Sequence, residues 1–210
     1  MDYFLYISET KVSMLSSQSK SFKKGLWGKL KLNFGLISTE FSQDKENLSI
    51  YEQALLIEQT LGNKGKVGTP HEPKSYFSGE MPLKYGVISD YISGLSFFGE
   101  KFDGGTVVLI GSPQSMVGGE LKIDADKEGL RSFAYYTMKF LNYSLESDEV
   151  LKDKPLENFD EAFALSTDTA IDSIKLPSKN MKFLAKTIYN GTKNGKPFVV
   201  GTPIYVSLAE

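Results

Sequence analysis

Thr106-Val107-Val108-Leu109-Ile110 is an unbroken run of strand-forming residues that ends at Gly111-Ser112-Pro113, with a second turn signal at Gly118-Gly119. Apolar runs of this length between turn residues are central strands covered on both faces. Phe198-Val199-Val200 repeats the pattern and meets Gly201-Thr202-Pro203. The pattern predicts two core strands, each leaving the sheet through Gly-hydroxyl-Pro, with a hydroxyl and free backbone amides at the strand end.

The remaining segments follow from their periods. Residues 3–8 are aromatic and β-branched and predict a strand paired inside the sheet. Thr10 to Leu15 predicts a short helix, and the serine-rich 16–21 a loop. Leu26, Leu30, Leu32, Phe34 and Leu36 alternate with Lys29, Lys31 and Asn33, as in a half-buried strand. Ser49 and Glu52 have capping-box spacing, Ile50, Ala54, Ile57 and Leu61 recur at helical steps, and Gly62 stands at a C-cap. A helix over 48–61 follows, then a basic loop from Asn63 to Lys74. Strands at 77–87, 92–98 and 106–110 form an antiparallel meander, with Pro82 marking an edge or bulge and Asp103-Gly104-Gly105 a hairpin turn. Helices are expected over 126–143 and near 158–163, and a closing hairpin joins 181–189 to 197–207 across 191–195. Strands grouped by hairpins between helices make this an α+β chain, a single domain over 1–210 with a largely antiparallel sheet and about three helices.

Composition narrows the chemistry. At 210 residues, 40% of them hydrophobic, the chain supports a large core, and no window approaches a membrane-spanning length of apolar residues. A net charge of −2 offers no global attraction to nucleic acid. The lysines at 20, 23, 24, 29 and 31 around Trp27 read as a solvated strand edge. With no cysteine, disulfides, thiolate metal sites and cysteine nucleophiles are excluded. The N-terminus lacks the basic region of a signal peptide, so a cytoplasmic location is expected. The lone histidine, His71, lies between prolines in a loop and reads as exposed. Asp124 and Asp126 read as helix-capping carboxylates, so no metal and no cofactor are expected.

Gly111, Ser112, Ser115, Gly118 and Gly119 make the best small-molecule candidate, because glycines let backbone amides approach an anion and serines add donors. The spacing is neither that of a P-loop nor that of a dinucleotide fingerprint. Thr10 and Lys11, just past the first strand, and Thr202, at the second Gly-hydroxyl-Pro, would add a cation and hydroxyls if the strand order brings them together.

Three stretches carry a family likeness: Tyr6-Ile7-Ser8-Glu9-Thr10-Lys11-Val12-Ser13-Met14-Leu15, Val107 to Pro113 continuing to Val117-Gly118, and Pro197 to Val206. Together they resemble a bacterial family of unknown function. The resemblance implies one domain across most of the chain and no established activity. That pattern often has a histidine after Gly-Ser, and the segment near Ser115-Met116 here has none.

These readings converge on a soluble, non-catalytic binding or sensor domain for a small anionic, nucleotide-like ligand, held by Thr10, Lys11, Gly111, Ser112, Ser115, Gly118, Gly119 and Thr202. Two alternatives stand beside it. One is an enzyme acting on phosphate-containing substrates through Lys11 with Glu9, or through a metal on Asp124 and Asp126. The other is a structural or protein-interaction module whose exposed aromatics, such as Tyr135, Tyr136, Phe140 and Tyr143, form a homo-oligomer or partner interface.

Overall fold

The computed structural model describes residues 3–18, 48–88, 95–118, 164, 167–168, 170–193 and 195–209. The expected strand at 26–36, the helices at 126–143 and 158–163, the lysines around Trp27, Asp124, Asp126 and Gly119 lie outside the described residues. In chain order the elements are β1 (Tyr3–Ile7), α1 (Glu9–Gln18), α2 (Ile50–Asn63), β2 (Val67–Gly68), β3 (Tyr76–Ile88), β4 (Leu95–Phe102), β5 (Gly105–Gly111), β6 (Lys179–Lys193) and β7 (Lys196–Leu208). A 3₁₀ turn follows β5 at Pro113–Ser115, and residues 170–173 are helical.

The meander of β3, β4 and β5 and the hairpin of β6 and β7 form as expected, although β4 continues past residue 98 to Phe102 and the strands of the hairpin run on to Lys193 and from Lys196, into the stretch expected to be the turn. The two are then joined at both ends. β5 runs parallel to β7 from Thr106↔Phe198 to Leu109↔Gly201. β3 runs antiparallel to β6 from Tyr76↔Lys186 to Leu83↔Lys179. Each of β3, β4, β5, β7 and β6 therefore has two partners within this ring, and the mostly antiparallel α+β sheet closes into a barrel. β1 extends the edge of β7, and β2 adds to β3.

Closure explains the fully apolar runs. Val107 and Leu109 of β5 and Val199 of β7 point into the barrel, among Tyr6, Phe77, Leu83, Phe98 and Phe183. Phe98 meets Tyr6 edge-on at 6.0 Å and stacks on Tyr85 at 6.0 Å. Val108, Ile110, Phe198 and Val200 point outward and are covered by Ala164, Ala170 and Ile171. A second outer patch, Leu184, Ile204 and Tyr205, is covered by Val12 of α1 and by Ala54, Ile57 and Leu61 of α2.

β7 departs from expectation at Gly201-Thr202-Pro203. The strand does not exit there; it continues to Leu208. Pro203 lacks an N–H, and it falls where the edge partner of β7 changes from β5, which ends its pairing at Gly201, to β1, which begins at Tyr205. Facing β6, the register skips one residue between Pro203 and Tyr205. That bulge turns both Ile204 and Tyr205 outward onto the helices.

The helices also shift from their expected bounds. α1 continues through the serines to Gln18, with the Ser17 hydroxyl donating to Met14 O and Ser16 Oγ to Gln53 Oε1, so serine side chains are bonded within and between helices rather than favouring a loop. The capping box at Ser49 and Glu52 forms as predicted. Gly62, however, is helical; the helix ends at Asn63, Lys64 is the cap, and Gly65 takes the left-handed conformation at φ +66°.

The inward face of β7 at Gly201 has no room for a side chain: a Cβ there would sit 2.6 Å from Phe77 Cε1 and 3.0 Å from Ala185 Cβ. Gly201→Ala is expected to lower the unfolding free energy by about 2 kcal/mol through overpacking. Urea unfolding monitored by circular dichroism measures it; an unshifted midpoint would contradict this packing of β7 against Phe77.

Candidate functional site

The site is built where α1 leaves β1. The Ser8 amide donates to Ile204 O at 2.9 Å, and the Val12 amide donates to Ser8 O, so the first turn of α1 is fixed against β7. Val12 is fully buried and anchors the turn. Its neighbour Lys11 then lies along the outer face of β7, and its ammonium donates to Thr202 Oγ1 at 2.5 Å and to Pro203 O at 2.9 Å.

An ammonium has three N–H donors, and two are taken by uncharged acceptors. Among the described residues Lys11 has no carboxylate partner. A second cation, Lys186, stands opposite Thr202 on β6 and is exposed. Burial, and then the repulsion of Lys186, pull the Lys11 ammonium from 10.5 down to about 8. The site is thus a concentration of positive charge that the described residues leave uncompensated.

Lys186 is also opposite Tyr76 on β3, so Thr202, Lys186 and Tyr76 form a row across β7, β6 and β3. Directly opposed residues point to the same face of a sheet. Beyond Tyr76 the row ends in a hollow of about 160 Å³, lined by Leu15, Gln18, Ile57, Thr60, Leu61, Lys64, Lys66 and Tyr76. Burial raises the Tyr76 phenol above its ordinary value.

Of the residues singled out from sequence, the structure brings Lys11 and Thr202 into contact across 191 positions. Thr10, next to Lys11 in the first turn of α1, is exposed. The glycine-serine segment is occupied with its own turn. Gly111 is covered by the Tyr6 ring, which fills the space a Cβ would take. Ser112 Oγ accepts from the Gln114 amide at 3.3 Å, and its carbonyl accepts from the Ser115 amide at 3.1 Å and from Ser96 Oγ at 3.3 Å. The Val117 amide then donates to Leu5 O, tying the segment to β1. Gly118 is exposed with φ +74°, and among the described residues nothing lies within 4 Å of where a Cβ would stand. Lys186 and Tyr76 were not singled out; each is an ordinary residue of an alternating strand, and only the β6 register puts them beside Thr202.

Several other charged groups have partners of their own. Lys101 pairs with Asp172 at 2.8 Å, and Lys193 pairs with Asp168, tying the helical residues to the barrel. Glu100 accepts from the Ser178 hydroxyl, and Glu58 accepts from Tyr205 at 2.5 Å. His71 is exposed and sits edge-on to Phe102 at 5.1 Å. Among the described residues no three histidine or acidic side chains group as metal ligands do, and no helix is long and apolar enough to cross a membrane.

In comparisons with known proteins, the model of a family of unknown function matches residues 2–210. No curated protein and no solved structure matches the chain.

Because Lys11 titrates lower folded than unfolded, the unfolded chain holds the extra proton between pH 8 and 10.5. Its unfavourable contribution is complete below pH 8 and is relieved as pH rises through that window, so stability gains there. The Cε resonance of Lys11 is expected to titrate near pH 8 by NMR. Lys11→Met should be more stable than the native chain at pH 7 by about 1 kcal/mol, as expected when an uncompensated buried charge becomes apolar. A midpoint above 10 would contradict the description of the site.

Proposed function

From a chain that belongs to DUF7019, a family of unknown function, we propose a binding domain for a small anion, held on the outside of the barrel by Lys11 and Lys186 beside the Thr202 hydroxyl. The observation that carries the reading is the Lys11 ammonium, bonded among the described residues to Thr202 Oγ1 and Pro203 O and facing a second lysine. Holding two cations together at a half-buried position is unfavourable for the empty protein. A bound anion removes that cost, accepting the third Lys11 hydrogen and countering Lys186. Phosphoryl and carboxylate groups both fit a pair of point charges on flexible stems. The site is non-catalytic in this reading.

A second reading, lysine-assisted chemistry on phosphate-containing substrates, is favoured by the lowered Lys11 pKa. An amine that titrates near 8 is roughly a tenth neutral at pH 7, far more than an ordinary lysine. Pyridoxal phosphate followed by borohydride reports on both readings, since it carries a phosphate and an aldehyde.

Inorganic phosphate and pyrophosphate, titrated calorimetrically, are expected to bind the native protein with an affinity that falls as salt is raised. Lys11→Met should weaken binding at least tenfold while keeping the circular dichroism spectrum. Phosphate should protect Lys11 from pyridoxal phosphate labelling, read by mass spectrometry. Equal affinities for native and Lys11→Met proteins, or no binding of either probe, would overturn the proposal.

A further inference from the structure

The hollow between α1, α2 and the start of β3 is separate from the contact of Lys11 with Thr202, yet it opens on the same row of residues. Lys11, Leu15 and Gln18 are spaced four and three apart and share one face of α1. Lys11 reaches β7, whereas Leu15 and Gln18 line the hollow together with Tyr76 of β3. From Lys11 to Gln18 the helix advances about 10 Å. From Thr202 to Tyr76 the sheet advances two strand spacings, also about 10 Å. α1 therefore lies across β7, β6 and β3, with the Lys11 cation at one end of the crossing and the hollow at the other. Lys186 stands between them, one strand from each.

The lining of the hollow is mixed. Its accessible surface is mostly polar; Leu15 is the half-buried apolar residue on it, Ile57 and Leu61 lie nearly closed over at its floor, and Lys64 and Lys66 are exposed at its rim. Thr60 is 8% exposed, and its hydroxyl oxygen has no hydrogen-bond partner among the described residues. A buried hydroxyl left unpaired is unfavourable, and helical threonine has two accessible χ1 positions, so a polar group brought into the hollow would give it a partner. The hollow is open to solvent on one side, and in size alone its volume of about 160 Å³ is that of a space that holds a single ring. It exceeds what a bare inorganic anion occupies.

We infer that the anion taken at Lys11 and Lys186 is an organic one, a phosphate ester or carboxylate with a body about one ring in size, and that this body lodges in the hollow against Leu15, Ile57 and Leu61. The inference rests on the reading of Lys11 and Lys186 as the anion site and adds the class of molecule. Lys64 and Lys66 at the rim favour ligands with further negative charge on the body.

The test compares phenyl phosphate with inorganic phosphate by calorimetric titration of the native chain, Gln18→Trp and Leu15→Phe. Gln18 is exposed, so an indole there is tolerated and closes the hollow from solvent; Leu15→Phe fills it from the wall. The expected result is that phenyl phosphate binds the native chain at least tenfold tighter than inorganic phosphate. In either filled variant that advantage disappears, while the affinity for inorganic phosphate stays within twofold. Should inorganic phosphate bind and phenyl phosphate bind no tighter, the hollow is not the place of the ligand's body, and only the anion site stands. An advantage that survives in both filled variants likewise removes the hollow. If neither probe binds the native chain, the anion site itself fails, and this inference with it.

Discussion

The parallel pairing of β5 with β7 is the constraint on which the rest of the structure depends. A meander and a hairpin each bring their own neighbours together through short turns. Nothing local brings the meander to the hairpin. Val107↔Val199 and Val108↔Val200 do so with residues apolar on both faces, so the strands are stable only when a core lies on each side. With that seam made, β3 meets β6 and the ring closes, which leaves five of the strands without a free edge over their paired lengths.

Closure has a further consequence at Pro203. β7 is longer than β5, so its upper half needs another partner, and β1 supplies it antiparallel from Tyr205. The change of partner leaves a short stretch, Thr202-Pro203-Ile204, in which a residue without an N–H is tolerated and a bulge turns the strand. That stretch divides the outer surface of β7 into two apolar patches, one under Ala170 and Ile171 and the other under α1 and α2. Thr202 is the polar residue left at the boundary. Lys11, delivered by the turn that joins β1 to α1, has its amine at the same boundary because Val12 beside it is committed to the second patch. The position of the charge is thus a product of how the barrel changes strands along one edge.

Much of this was legible in the residue pattern. The meander, the closing hairpin and the capping box at Ser49 and Glu52 depend on contacts within a few residues, where period and turn chemistry decide. The Gly-Ser-Pro segment illustrates the opposite case. Its glycine and hydroxyls are what an anion loop needs, and they are also what a capped turn needs; Ser112 spends its hydroxyl on Gln114 and Gly111 makes room for Tyr6. Composition is the same in both uses, and only the neighbours differ.

Thr202, Lys186 and Tyr76 show where legibility ends. Each is visible as a residue, yet their common row follows from two strand registers: Tyr76↔Lys186 joins residues more than a hundred positions apart, and Lys186↔Thr202 follows a one-residue slip in the hairpin between Thr187 and Tyr189. Local pattern was enough for the meander, the closing hairpin, the capped helix at Ser49, the two-sided burial of β5 and β7, the lack of cysteine chemistry and a lysine just past β1. Closure of the sheet, the run of β7 through Gly201-Thr202-Pro203 and the meeting of Lys11 with Thr202 and Lys186 came from the packed fold alone. Period and capping act over a turn or a strand, whereas closure and register are chosen by the packing of distant segments against one another.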